Sequence, residues 1–306
     1  MTEAELSKLY GWSEIDTWRI TYHAGRYGVD DGGVIKIAWR DVSDWQAPQF
    51  TDPQAPGYAT VSTTGPVVLR PTFEKQRYVR PWRLCVTIDV LDDSLAEGDT
   101  VTLTLGDRSG GSRGIRAQTF CQESFEFRVA VDWCGTWVYE RIPSPQVPIT
   151  SGTAHKLVVV APSETIAGEE TWVGVKAENV WGNPSREYTE QVRIEGRRLE
   201  GLPETYKFVP EDEEGVMQAE SNPLLCLMVG RKFQPFWGDL HGQSEETVGT
   251  NPVSSYFRFA RESTLVNFAG HQGNDFQITK EVWQEIRQQA NRQNDPGHFV
   301  AYVGWE

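Results

Sequence analysis

FWGDLHGQSEETVGTNPVSSYFRFARESTLVNFAGHQGNDFQIT, residues 236–279, reads differently from everything upstream of it. The run Phe236 to His241 is short, apolar and strand-like, and a polar loop follows it. Asn251-Pro252 then reads as an N-cap followed by proline at the first helical position, opening a helix with Tyr256, Phe259 and Ala260 on one face. A second strand-like run, Val266 to Gly270, precedes a helix capped by Thr279 with Trp283, Ile286 and Ala290 at helical spacing. Phe299 to Gly304 is the third strand. The order β-α-β-α-β is the opening of a parallel sheet or of a (β/α) barrel.

Working upstream, residues 199–232 are polar and acidic, with PEDEEG at Pro210 to Gly215, and read as a linker. Residues 162–198 place two alternating strands around the turn chemistry Trp181-Gly182-Asn183-Pro184. They read as an immunoglobulin-like β segment, either standing alone or completing the first sandwich. Residues 1–161 supply alternating runs such as Cys85 to Leu91, Thr100 to Leu105, Phe125 to Val131 and Lys156 to Val160, separated by Gly, Asp, Ser and Pro. That is the pattern of a β-sandwich with half-buried strands. The expected chain is therefore multidomain, all-β first and α/β in residues 233–306.

With 39% hydrophobic and 24% charged residues the composition is globular, which excludes disordered and collagen-like classes. The net charge of −14 repels phosphate backbones and anionic membranes, so neither nucleic acid nor a membrane is an expected partner. The acidic amino terminus lacks a charged-then-apolar leader, and the expectation is a cytoplasmic protein. Cys85, Cys121, Cys134 and Cys226 form no CxxC pair and are read as small buried hydrophobes, with a Cys121–Cys134 disulfide as the alternative.

In parallel α/β architectures functional groups collect at the carboxyl ends of strands. Those ends present His241, His271 and Glu306 here, two imidazoles and a carboxylate suited to zinc, manganese or iron. Asp239, His241 and Gln243 alternate by two and share one face if the strand runs through them. Gln243 can then position a metal-bound water. An isolated strand-end histidine more often ties a loop, and buried packing is the commoner fate of Trp237, Trp283 and Trp305.

FWGDLHGQSEETVGT, SYFRFAR, VNFAGHQGNDFQIT and FVAYVGWE resemble the start of the polymerase and histidinol phosphatase (PHP) superfamily, most closely the family catalogued as domain of unknown function 3604. The stretch Glu97 to Phe120 is similar, more loosely, to the β-rich part preceding the metal domain of that family. The resemblance implies a (β/α)7 barrel that binds divalent metals and hydrolyses phosphoesters, with this chain ending after the third barrel strand. It matches His241 to the first histidine of a His-x-His motif, with Gln243 where the second usually stands, and Glu306 to the glutamate closing the third motif. His271 or Asp275 takes the role of the second motif. The resulting expectation is a metal-dependent, phosphoesterase-like hydrolase of a small-molecule substrate, phosphorylated ones included, carrying the first part of a metal site. His241, Glu306, His271, Asp275 and Gln243 are the candidate ligands, and Asp239 orients a ligating imidazole. The remainder of the barrel or a partner chain completes the site, and the isolated chain is inactive. The alternative is a non-catalytic β-sandwich binding module for carbohydrate or protein.

Overall fold

The computed structural model describes residues 15–202, 204–212, 215, 217 and 219–306. Two compact units divide the chain, Met1–Ile149 and Thr150–Glu306.

In the first unit, β1 (Ile15–Asp16), β2 (Trp18–His23), β3 (Val34–Trp39), β4 (Ala59–Thr63), β5 (Val68–Lys75) and β6 (Leu84–Leu91) are followed by β7 (Thr100–Leu105), β8 (Ile115–Arg116), β9 (Gln122–Glu126), β10 (Arg128–Asp132), β11 (Glu140–Arg141) and β12 (Gln146–Ile149). One sheet has the order β11-β10-β3-β6-β5 and another β2-β7-β4, all their pairs antiparallel. The period-two pattern decides which side chains meet. Ile35, Ile37 and Trp39 on β3, Val86, Ile88 and Val90 on β6, and Val129 and Val131 on β10 share one buried cluster with Ile20 and Tyr22 on β2 and Val101, Leu103 and Leu105 on β7. The sandwich core is thus built from alternate residues of both sheets.

All four cysteines are free. Cys85 is buried on β6, and burial pushes its thiol up to about 11, so it is an inert filler of the sheet. Cys134 departs from the expectation of a buried cysteine, because it sits exposed in the turn after β10.

The second unit begins with β13 (Lys156–Val160), β14 (Glu164–Ile166) and β15 (Gly174–Glu178), then β16 (Val192–Arg198), β17 (Thr205–Asp212) and β18 (Leu224–Leu227). β13 pairs with β15, and a second sheet runs β14-β18-β17-β16 with β14 and β18 parallel. The stretch read as an acidic linker therefore contains β17 and β18. Lys207 lies between Tyr206 and Phe208 on β17 and holds Glu220 at 2.9 Å, and β17 pairs antiparallel with the charged β16, so the segment is a polar-faced hairpin arm.

The rest of this unit is β19 (Gly238–Gly242), α1 (Val253–Phe259), β20 (Phe268–Gly273), α2 (Lys280–Gln293) and β21 (Val300–Trp305), with the three strands parallel in that order. Val253, Phe257 and Ala260 on the first helix meet Ile286 and Ala290 on the second, with Ala269 and Phe299 between them. The buried stripe of α1 differs from the expected one: Phe259 is exposed, and Phe257 takes the core position. α1 begins at Val253 after Pro252 and runs into a π-helical turn, Ala260–Thr264, that ends with Leu265 at φ 57°. Thr279 caps α2, its side chain accepting from the Val282 amide.

The expectation of a (β/α)7 barrel is overturned. Strand dominates the described residues, which hold two α-helices of 7 and 14 residues, where a closed barrel of that kind needs a helix after nearly every strand. The three parallel strands form an open sheet with edges at β19 and β21. Local β-α-β-α-β grammar does not specify closure, because each repeat is satisfied by its immediate neighbours.

Candidate functional site

β19, β20 and β21 run parallel, so their carboxyl ends lie along one edge of the sheet. His241 lies near the end of β19 and Glu306 just past β21, and His241 Nε2 is 3.4 Å from Glu306 Oε2. Gln243 joins them, its Nε2 donating to the same carboxylate oxygen at 3.3 Å. Thr247 Oγ1 donates to Gln243 Oε1 at 2.8 Å and fixes the amide orientation. Both His241 and Glu306 are open to solvent.

Asp239 does something other than orient an imidazole. Its carboxylate accepts the backbone N–H of His241 at 2.8 Å, where the pairing of β19 with β20 shifts register between Asp239 and Gly242. The expected alternation through Gln243 is broken by this irregularity and by the end of the strand at Gly242. Gly242 has no room for a side chain, since a Cβ there would run into the Tyr256 ring. Tyr256 donates to the Gly270 carbonyl at 3.0 Å, tying α1 to β20, and burial, aided by the Asp239 carboxylate, raises its phenol well above the usual range.

His271 is fully buried, unlike the solvent-open pair. Its Nε2 is 2.7 Å from Ser244 Oγ, and its Nδ1 has no hydrogen-bond partner among the described residues. Burial lowers its pKa, and the Glu246 carboxylate opposes that only in part. A buried neutral imidazole makes stability depend on pH in a definite sense. The folded-state pKa lies below the unfolded value of about 6.5, so the contribution is complete above that pH. As pH falls from there towards the folded pKa, the unfolded chain takes up a proton that the native chain refuses. Between about pH 7.5 and pH 5.5, urea unfolding of the wild-type protein is expected to lose more stability than that of His271→Gln. Equal slopes would place the pH response elsewhere.

Asp275 begins a 3-10 turn, Asp275–Gln277, and its backbone N–H donates to the Glu306 carbonyl at 3.0 Å. The contact seats the end of β21 without bringing the Asp275 carboxylate to the pair. Among the described residues no cluster of three or more His, Cys, Asp or Glu side chains is spaced to hold a metal ion. The site is thus a pair with an amide beside it. Ser244 and Thr247, which support it from the loop after β19, escaped the sequence reading; their one signal is a run of turn-forming hydroxyl residues in QSEETVGT. No helix among the described residues is long and apolar enough to cross a membrane.

The chain is 24% identical over 328 residues to an uncharacterized protein of Chlamydia trachomatis serovar D, the match covering 95% of this chain and 51% of that protein. An uncharacterized protein of Chlamydia muridarum is 23% identical over 328 residues with the same coverage. One from Chlamydia pneumoniae is 23% identical over 243 residues, covering 69% of this chain and 39% of the relative. The chain spans about half the length of the first two of these curated relatives. No protein-family profile matches it. No solved structure matches it either.

Proposed function

We propose that the carboxyl-terminal unit carries part of a divalent-metal site in a hydrolase of small, phosphorylated substrates, with His241 and Glu306 as ligands and Gln243 beside them. The observation that carries this reading is the 3.4 Å separation of His241 Nε2 and Glu306 Oε2. Two donors bound at about 2.1 Å to one tetrahedral ion stand about 3.4 Å apart, so an ion fits between them with little movement of either side chain. The resemblance of this stretch to the opening motifs of the PHP superfamily supports the same assignment.

The donor chemistry fits a metal only in part. An imidazole and a carboxylate suit zinc, manganese or iron, and the amide oxygen of Gln243 suits a harder ion after release from Thr247. Catalytic zinc uses three protein ligands, so further donors come from outside the described residues, in a longer chain or in a partner. A bound ion would lower the pKa of its water to about 7 and offset charge on a phosphoryl oxygen. Where Gln243 stays fixed by Thr247 instead of ligating the ion, its amide would hold that water.

Protein purified without chelator is expected to contain manganese, zinc or iron. In a longer protein that supplies the remaining donors, His241→Ala and Glu306→Ala should each weaken metal binding at least about tenfold and slow aryl phosphate hydrolysis in parallel. Gln243→His should tighten zinc, because imidazole is the better donor. Unchanged metal affinity in both alanine variants would reduce the pair to a surface hydrogen bond.

A further inference from the structure

β16 (Val192–Arg198) is the last strand of the sheet β14-β18-β17-β16, and no strand among the described residues lies beyond it. Apart from Val192, every residue along it is exposed. An edge of this kind offers a row of backbone N–H and C=O groups to any extended chain that can lie against it.

Which groups face outward follows from the ladder with β17. Antiparallel pairs alternate between exchanging both backbone hydrogen bonds and exchanging none. Phe208, opposite Gly196, gives its N–H to Ser221 Oγ at 2.9 Å and accepts the Ser221 N–H on its carbonyl at 2.9 Å. Gly196 and Phe208 therefore exchange none. The same holds two residues along for Ile194 and Pro210, where Pro210 has no N–H to give. Val192, Ile194 and Gly196 thus turn their N–H and C=O groups to the open edge.

The side chains select the occupant. Arg193, Glu195 and Arg197 lie on one face of β16, and Val192, Ile194 and Gly196 on the other. When a second β16 lies antiparallel with Ile194 opposite Ile194, each Arg193 stands opposite a Glu195, the opposite-charge pairing that stabilises adjacent strands. Val192 then stands opposite Gly196, whose missing side chain leaves room beside the Phe208 ring. Centring the pairing on Glu195 instead sets Arg193 against Arg197 and Glu195 against itself, and centring it on Gly196 sets Ile194 against Arg198. Of the three, the register centred on Ile194 joins opposite charges and apolar residues together. Arg193 meets Glu211 at 3.5 Å and Arg197 meets Glu195 at 2.9 Å within one copy, but both pairs are open to solvent and cost little to exchange.

We infer that two copies of this chain pair through β16 about a two-fold axis at Ile194, joining their sheets into one continuous sheet. The outward backbone groups of Val192, Ile194 and Gly196 supply the hydrogen bonds, and Arg193 and Glu195 fix the register.

The test is sedimentation velocity of the whole chain from low to high micromolar concentration, where a monomer–dimer equilibrium is expected. Arg193→Glu and Glu195→Arg each set like charges opposite one another on both sides of the axis and should each weaken dimerisation at least about tenfold. An equimolar mixture of these two variants restores Glu opposite Arg on both sides and should dimerise as the parent does, a recovery that misfolded variants would not show. Ile194→Pro, which removes an outward N–H at the axis, should be monomeric. A parent chain that stays monomeric throughout, a dimer indifferent to both charge reversals, or a mixture that fails to dimerise would each overturn the proposal. None of these outcomes bears on metal binding by His241 and Glu306, so the two readings fail separately.

Discussion

Trp39→Ala is expected to destabilise the amino-terminal sandwich by about 3–5 kcal/mol, enough to leave much of that unit unfolded in a marginally stable chain. Trp39 is completely buried on β3. Its ring stacks on Phe73 at 5.6 Å between centroids and meets Phe127 edge to face at 6.0 Å. Truncation opens a cavity at the place where the inner faces of both sheets share one cluster. Trp39→Phe should cost only about 1–2 kcal/mol, because the Trp39 indole N–H has no acceptor among the described residues and its removal recovers part of the lost packing. Urea unfolding followed by far-ultraviolet circular dichroism separates the two. A Trp39→Ala protein within about 1 kcal/mol of the parent would mean that the sheets close over the gap and that the cluster is less tightly packed than its geometry indicates.

The strands were legible because burial on one face leaves a period of two. Cys85 to Leu91, Thr100 to Leu105 and Lys156 to Val160 coincide with β6, β7 and β13 within a residue. β17 was missed for the opposite reason: both its faces carry charge or partial exposure, so Thr205 to Asp212 looks like solvent-facing chain until it pairs with β16. In α1 the register slipped by one position. Tyr256, Phe257 and Phe259 are all aromatic, and composition alone does not say which faces Ile286. The barrel failed at a different level, since closure is a property of many strands together and two helices with three strands are compatible with several architectures.

The site was legible as residue types and less so as geometry. His241 and Glu306 do come together, because parallel strands place their carboxyl ends along one sheet edge. His271 is on a strand end of the same sheet, yet it is buried against the loop after β19, its Nε2 2.7 Å from Ser244 Oγ. Nothing in the spacing of Asp239, His241 and Gln243 announces the irregular pairing of β19 with β20 after Asp239. One residue of register separates an imidazole facing solvent from one facing the core.

A second large effect belongs to Asp132, at the end of β10 in the first unit, which is 1% exposed. Its Oδ1 accepts from the backbone N–H groups of Cys134 at 3.3 Å and Thr136 at 3.0 Å and from Thr136 Oγ1 at 3.1 Å, while Oδ2 accepts from the Trp137 N–H at 2.6 Å. One carboxylate thus organises a whole turn. Gly135 and Trp137 in that turn adopt φ of 67° and 65°, and for tryptophan that conformation persists only when its surroundings hold it. Asp132→Ala should cost about 2–4 kcal/mol by removing the acceptor for four donors, and Asp132→Asn about half as much. Burial alone would raise the Asp132 pKa, but the backbone donors from Thr136, Trp137 and Cys134 outweigh it and hold the carboxyl below its usual range. Its stabilisation is therefore complete above the unfolded carboxyl pKa of about 3.9 and is lost as pH falls through the lower folded value. The stability gap between wild type and Asp132→Asn should be full near neutrality and should narrow below about pH 4 as both side chains become uncharged. A gap that stays constant down to acid-induced unfolding would show that shape and hydrogen-bond count at this turn matter and that the charge of Asp132 does not.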